Sequence, residues 1–151
     1  MISKSFIFCL VLLLSFFYLM GCASMSDVLS SKDDGTAEVY PVDKEQAWDI
    51  SVAILRWSGT DAIEMHERQG YMLTSKGANF ITWGSMIGVW VEPVDSNNTK
   101  VTIVTKRKLG YSVATGLTES SFHYKFHKTI NLIKSGKPLP IEEPDFDKIK
   151  W

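Results

Sequence analysis

Residues 82–94 and 99–108 are two apolar-rich runs joined by Asp95-Ser96-Asn97-Asn98, four residues whose side chains favour a turn. In the second run Val101, Ile103 and Thr105 alternate with Lys100, Thr102, Val104 and Lys106. A period of two is that of a strand with one face buried and the other mostly wet. The two runs therefore predict an antiparallel hairpin whose apolar face needs a covering layer.

Two amphipathic stretches supply that layer. Asp43 can cap a first helix, with Gln46 three residues on and Val42 placed as a staple residue before it. This helix carries Ala47, Ile50, Ile54 and Trp57 on one side and stops at Gly59. A last helix is expected over 119–135, capped by Thr118 and stopped by Gly136, with Phe122, Phe126, Thr129, Ile130 and Ile133 on one side. A short strand over 38–42 precedes the first helix. Residues 63–67 and 71–76 flank Arg68-Gln69-Gly70, a hairpin in which Gly70 supplies a positive φ. The predicted order is β-α-β-β-β-β-α: an α+β domain with an antiparallel sheet of about five strands and two helices on one face.

Ahead of this domain, Lys4 and an apolar run over 6–18 lead into Leu19-Met20-Gly21-Cys22. The run falls short of the roughly 20 apolar residues of a membrane span but suits the h-region of a signal peptide. The arrangement resembles the lipobox of bacterial lipoprotein precursors. That resemblance implies cleavage before Cys22, a thioether-linked diacylglycerol on its thiol and a further acyl chain on its new amino group. It thus makes the lipid bilayer a partner. Ala23, where an Asp would resemble an inner-membrane retention signal, favours the periplasmic face of the outer membrane. The expected organisation is a removed signal peptide over 1–21, a flexible tether over 22–36, one α+β domain over 37–136 and an extended tail over 137–151. Ser and Asp content marks the tether. Pro138, Pro140 and Pro144 keep the tail extended, and its Phe146, Ile149 and Trp151 could dock into a groove on this protein or another.

The two cysteines follow the same logic. Cys9 lies in the segment to be removed and Cys22 is consumed by acylation, which leaves no thiol for a disulfide, a metal cage or catalysis. Lys4 aside, 15 Lys and Arg stand against 17 Asp and Glu. So balanced a chain carries no global attraction to nucleic acid.

Across 39–133 the element order is similar to the small helix-grip-like domains of bacterial envelope lipoproteins, including the accessory lipoprotein of the outer-membrane β-barrel assembly machinery. The likeness rests on element order. It implies a binding or structural role, or alternatively a carrier or sensor holding a small apolar ligand between the sheet and the last helix.

Motifs for chemistry are sparse. His123 and His127 are four apart on the last helix and could share a metal ion, with His66 and Glu67 as a source of further ligands. The simpler reading puts both rings at the border of the buried stripe, packing their bodies and wetting their nitrogens, so neither metal nor cofactor is expected. No Gly-x-Ser-x-Gly elbow occurs, and no Lys-Ser or Lys-Thr follows Gly84 and Gly88 as a phosphate loop requires. The chain is read as a non-enzyme.

The most unusual stretch is 77–91, which carries no charge and holds Phe80, Trp83, Met86 and Trp90. In strand geometry Trp83, Ile87, Val89 and Val91 share one face, and Gly84, Met86, Gly88 and Trp90 the other. Either aromatic side chains cover Gly84 and Gly88 in a cross-strand cluster, or Trp83, Met86 and Trp90 form a surface for an envelope partner. Lys106-Arg107-Lys108 is a solvated strand end or a contact for anionic headgroups. The resulting expectation is a membrane-anchored, non-enzymatic module acting on an envelope protein through that surface.

Overall fold

The computed structural model describes residues 24–77, 84–107 and 117–149. The segment 1–21 expected to be a signal peptide, Cys22, Trp83, Lys108 and Trp151 lie outside the described residues.

Five strands form one antiparallel sheet: β1 Thr36–Tyr40, β2 Glu64–His66, β3 Tyr71–Lys76, β4 Ser85–Pro93 and β5 Thr99–Arg107, in the spatial order β1-β5-β4-β3-β2. The β4–β5 register, from Ser85↔Arg107 to Pro93↔Thr99, is the hairpin the alternation requires. At its turn the Asp95 carboxylate accepts from the backbone N–H of Asn97 at 2.8 Å and from the Asn98 amide. Between β2 and β3 the chain reverses through Gly70, whose φ of 73° is one that side-chain-bearing residues seldom adopt.

Two helices cover one face. α2 Lys44–Trp57 starts at Asp43, whose side chain accepts from the Gln46 N–H at 2.8 Å. α3 Glu119–Lys134 starts at Thr118, where Thr118 and Ser121 cap each other's backbone N–H reciprocally. Ile50, Ile54 and Leu55 of α2 and Phe122, Phe126 and Ile130 of α3 meet Met72, Ile87, Val89, Val91, Val101 and Ile103 of the sheet in one buried cluster. These sheet residues share one face in the observed register, as period two demands. The mixed α+β architecture and the order of its main elements agree with the sequence reading.

One segment differs from it, and for a second the structure selects among the options. Residues 24–36, read as a flexible tether, contain the helix α1 Met25–Ser30, a 3-10 turn over Lys32–Asp34 and the first residue of β1. Ser24 and Asp27 form a capping box at the start of α1, and Val28 is fully buried. One apolar side chain per turn suffices to dock so short a helix once a shaped hole receives it; fully burying a Val contributes about 1.5–3 kcal/mol. Composition suggests disorder here because, apart from Val28 and the half-buried Met25, the α1 residues face water.

The tail, in turn, is extended but not loose. Phe146 is buried edge-on to Trp57 with ring centroids 6.2 Å apart, the Trp57 indole N–H donates to the Ile141 carbonyl at 3.1 Å, and Lys125 pairs with Glu143 at 2.7 Å. Of the two docking options open to Phe146, the groove is on this protein. α2 is thereby buried over a wider arc than its Ala47, Ile50, Ile54, Trp57 stripe, with Val52 and Ala53 also covered.

Candidate functional site

The sheet face away from α2 and α3 is where the charge-free stretch places its second set of side chains. Gly88 pairs with Leu73 on β3 and Val104 on β5; Trp90 pairs with Tyr71 and Thr102, and Met86 with Ser75 and Lys106. Val28, Leu73, Trp90 and Val104 form a second buried cluster there, with Met25, Tyr71 and Met86 packed against it.

Gly88 is the key to this cluster. A Cβ built on it would lie 2.6 Å from Val28 Cγ1 and 2.7 Å from the Trp90 ring, so the missing side chain is the socket in which both sit. Trp90 is only 5 % exposed and Met86 is half-buried. The partner surface expected at Trp83, Met86 and Trp90 is therefore not an open one. Trp90 lies under α1 and over Gly88, and Trp83 lies outside the described residues. For Gly88 and Trp90 the cross-strand cluster is the arrangement found.

Charges fasten this layer at its rim. Lys32, in the turn after α1, meets Glu92 of β4 at 2.5 Å, and Lys100 of β5 meets the same carboxylate at 3.0 Å. The Lys32 contact, with help from Lys100, holds the Glu92 carboxyl below the usual carboxylate range. Asp34 lies 3.7 Å from Lys106. Within the cap, the Ser24 backbone N–H and then its hydroxyl lower the Asp27 carboxyl. Lys106 of the basic strand end thus faces Asp34, and Arg107 is exposed beside α3's first turn.

Histidines define a second polar locus where β1 meets α3. His123 is 2 % exposed; its Nε2 faces the Thr36 carbonyl at 3.1 Å and its Nδ1 faces the Tyr40 hydroxyl at 2.6 Å. A carbonyl can only accept, so Nε2 carries the proton and, in the neutral ring, Nδ1 accepts from Tyr40. Glu38 reaches His127 Nε2 at 2.7 Å and comes within 3.9 Å of His123 Nδ1. Burial, and then the Glu38 charge, push the Tyr40 hydroxyl well above its ordinary range, so it stays a donor.

His66 takes no part in this locus. It bonds Glu64 and stacks on Tyr71 on β2, the sheet edge opposite β1. Glu38 is the acidic partner of the histidines, and sequence spacing missed it. Which strand lies beside α3 is set by long-range pairing, and a lone Glu on a short edge strand gives no local sign of it. Among the described residues no group of three or more His, Cys, Asp or Glu side chains forms a metal cage.

No family model matches the sequence, and no curated protein matches it significantly. Among the described residues no helix is long and apolar enough to cross a membrane.

Proposed function

We propose that the protein is a lipid-anchored, non-enzymatic module of a bacterial envelope, held at the periplasmic face of the outer membrane through acylated Cys22 and contacting an envelope protein. The single observation that carries the reading is Leu19-Met20-Gly21-Cys22 placed directly after a charged start and a 6–18 apolar run. The described body supports it in two ways. Among the described residues, α1 is capped by Ser24, two positions beyond Cys22, and the His123–Tyr40 and His127–Glu38 contacts serve to tie β1 to α3. The alternative, a carrier of a small apolar ligand, needs space between the sheet and α3. Tyr40 stacks on Phe126 there at 4.1 Å between centroids, and Phe122, Phe126 and Ile103 are fully buried against one another's neighbours.

Acyl chains contribute about 0.8 kcal/mol per buried CH₂, so several on one residue make a lasting anchor. Confinement to a plane then lets modest contacts with a neighbouring complex suffice. Cys22→Ser should accumulate as an uncleaved precursor in cells, incorporate no labelled fatty acid, and vanish from the outer-membrane fraction. A mature Cys22→Ser protein that still fractionates with that membrane refutes the reading. Crosslinking in intact cells followed by purification should recover an envelope protein with the acylated form.

A further inference from the structure

We infer that the anchor does not hold the domain on a loose leash but on a short docked post, so that the α1 side of the sheet rests against the lipid headgroups and the helical side faces away. The inference rests on acylation of Cys22. Between Cys22 and Ser24, the cap of α1, stands one residue, Ala23. Two residue steps reach at most about 7 Å, whereas a free leader over 22–36 could reach about 50 Å.

What makes the post stiff is its seat. Val28 enters the socket above Gly88, Met25 packs on the same cluster, and Lys32 ties the following turn to Glu92. The first residue after this layer, Gly35, is itself held close to β5: a Cβ there would lie 2.6 Å from the Ile103 carbonyl oxygen. The chain is thus fixed to the sheet at both ends of the segment. At most two residue steps then separate the acylated position from this seated segment.

The partner this face fits is a bilayer's interfacial region. On α1, Val28 faces the sheet while Leu29, one helical step round, is 39 % exposed. Around it stand the exposed hydroxyls of Ser26 and Ser30, which bond to headgroups and water, and the Asp27 carboxylate, which is held by Ser24 in the cap. An apolar side chain among small polar ones, adjacent to a lipidated residue, meets the boundary between headgroup and acyl chain. On the far side lie α2, α3 and the tail, with Tyr124 48 % exposed. That side is left for an envelope protein.

The acylated protein offers no free thiol once 1–21 is removed, so single reporters can be placed cleanly. A fluorophore on Ser30→Cys and one on Tyr124→Cys would be compared in phosphatidylcholine vesicles carrying a headgroup-bound quencher. Quenching at position 30 should exceed that at 124 several-fold. Gly88→Val, which displaces Val28, should bring the ratio toward one, and Val28→Asp serves if the glycine variant does not fold. Equal quenching at both positions of the parent protein, or an undiminished ratio in a folded variant, overturns the inference. Intact mass separates the two levels: protein shown to carry acyl chains yet quenched equally sinks the docked post alone. Protein without acyl chains sinks the lipoprotein reading and the post with it.

Discussion

At the end of β1, Tyr40 is buried between Phe126 and the His127 ring, and its hydroxyl meets His123 Nδ1. Removing that hydroxyl leaves a buried acceptor without its donor, and an orphaned buried polar atom costs about 1–3 kcal/mol. Tyr40→Phe keeps the ring packing, so its loss in urea denaturation should fall in that range without a change in slope. The pH profile distinguishes this from a packing defect. The Tyr40 hydroxyl is raised in the folded state, so its contribution is complete below the unfolded value and fades as pH rises above about 10. Tyr40→Phe should show a shallower alkaline decline than the parent; an equal decline would place the effect elsewhere. Single residues were unevenly legible. Parity along β4 correctly divides Ile87, Val89 and Val91 from Met86, Gly88 and Trp90. Exposure is not a property of parity, because it depends on whatever lies above the strand, and above Trp90 lies a helix whose own residues give little sign of being one.

α1 shows how a six-residue helix can be stable without intrinsic strength. Isolated helices below about 12–15 residues are marginal in water, so this one persists through its cap, its socket and its rim charges. Two of those supports are carboxylates with lowered values in the folded state: Asp27, held by Ser24, and Glu92, held by Lys32. A lowered carboxyl stabilises the fold above its unfolded value and ceases to do so as pH falls through its folded one. Acidification below about pH 4 should therefore release α1 before the sheet unfolds. Hydrogen exchange followed at the Val28 and Leu29 amides would show protection lost there first, while Val89 and Ile103 stay protected; simultaneous loss at all four would mean that α1 is no separate unit. Elements with strong periods, β3 to β5 with α2 and α3, could be read from sequence because each satisfies its own pattern over several residues. α1 could not. Its helical signal is one buried Val in a run of Ser and Asp, and its reason for folding is a glycine sixty residues away.

At the scale of the molecule, layers follow one another from α1, through the sheet, to α2 and α3 and then the tail over their outer side. Each covers apolar surface that its neighbour leaves exposed. The tail is the least obvious layer, since Pro138, Pro140 and Pro144 deny it regular hydrogen bonding and leave side-chain docking as its means of attachment. Phe146 docks edge-on to Trp57 and Leu139 packs on the main core, while the Lys125–Glu143 pair lies at a partly exposed rim. Truncation of a buried aromatic removes its transfer free energy and opens a cavity, so Phe146→Ala should cost about 3–5 kcal/mol by urea denaturation. Glu143→Gln should cost under about 1 kcal/mol, because half-exposed ion pairs are weak. The contrast matters more than either value. If the tail were an extended linker resting on the body by charge, the order would invert, with Phe146→Ala silent and salt alone lowering the midpoint. If it is a strap, Phe146→Ala should also expose Trp57 to an aqueous quencher under native conditions, while the amides of β4 and β5, two layers away, keep their protection.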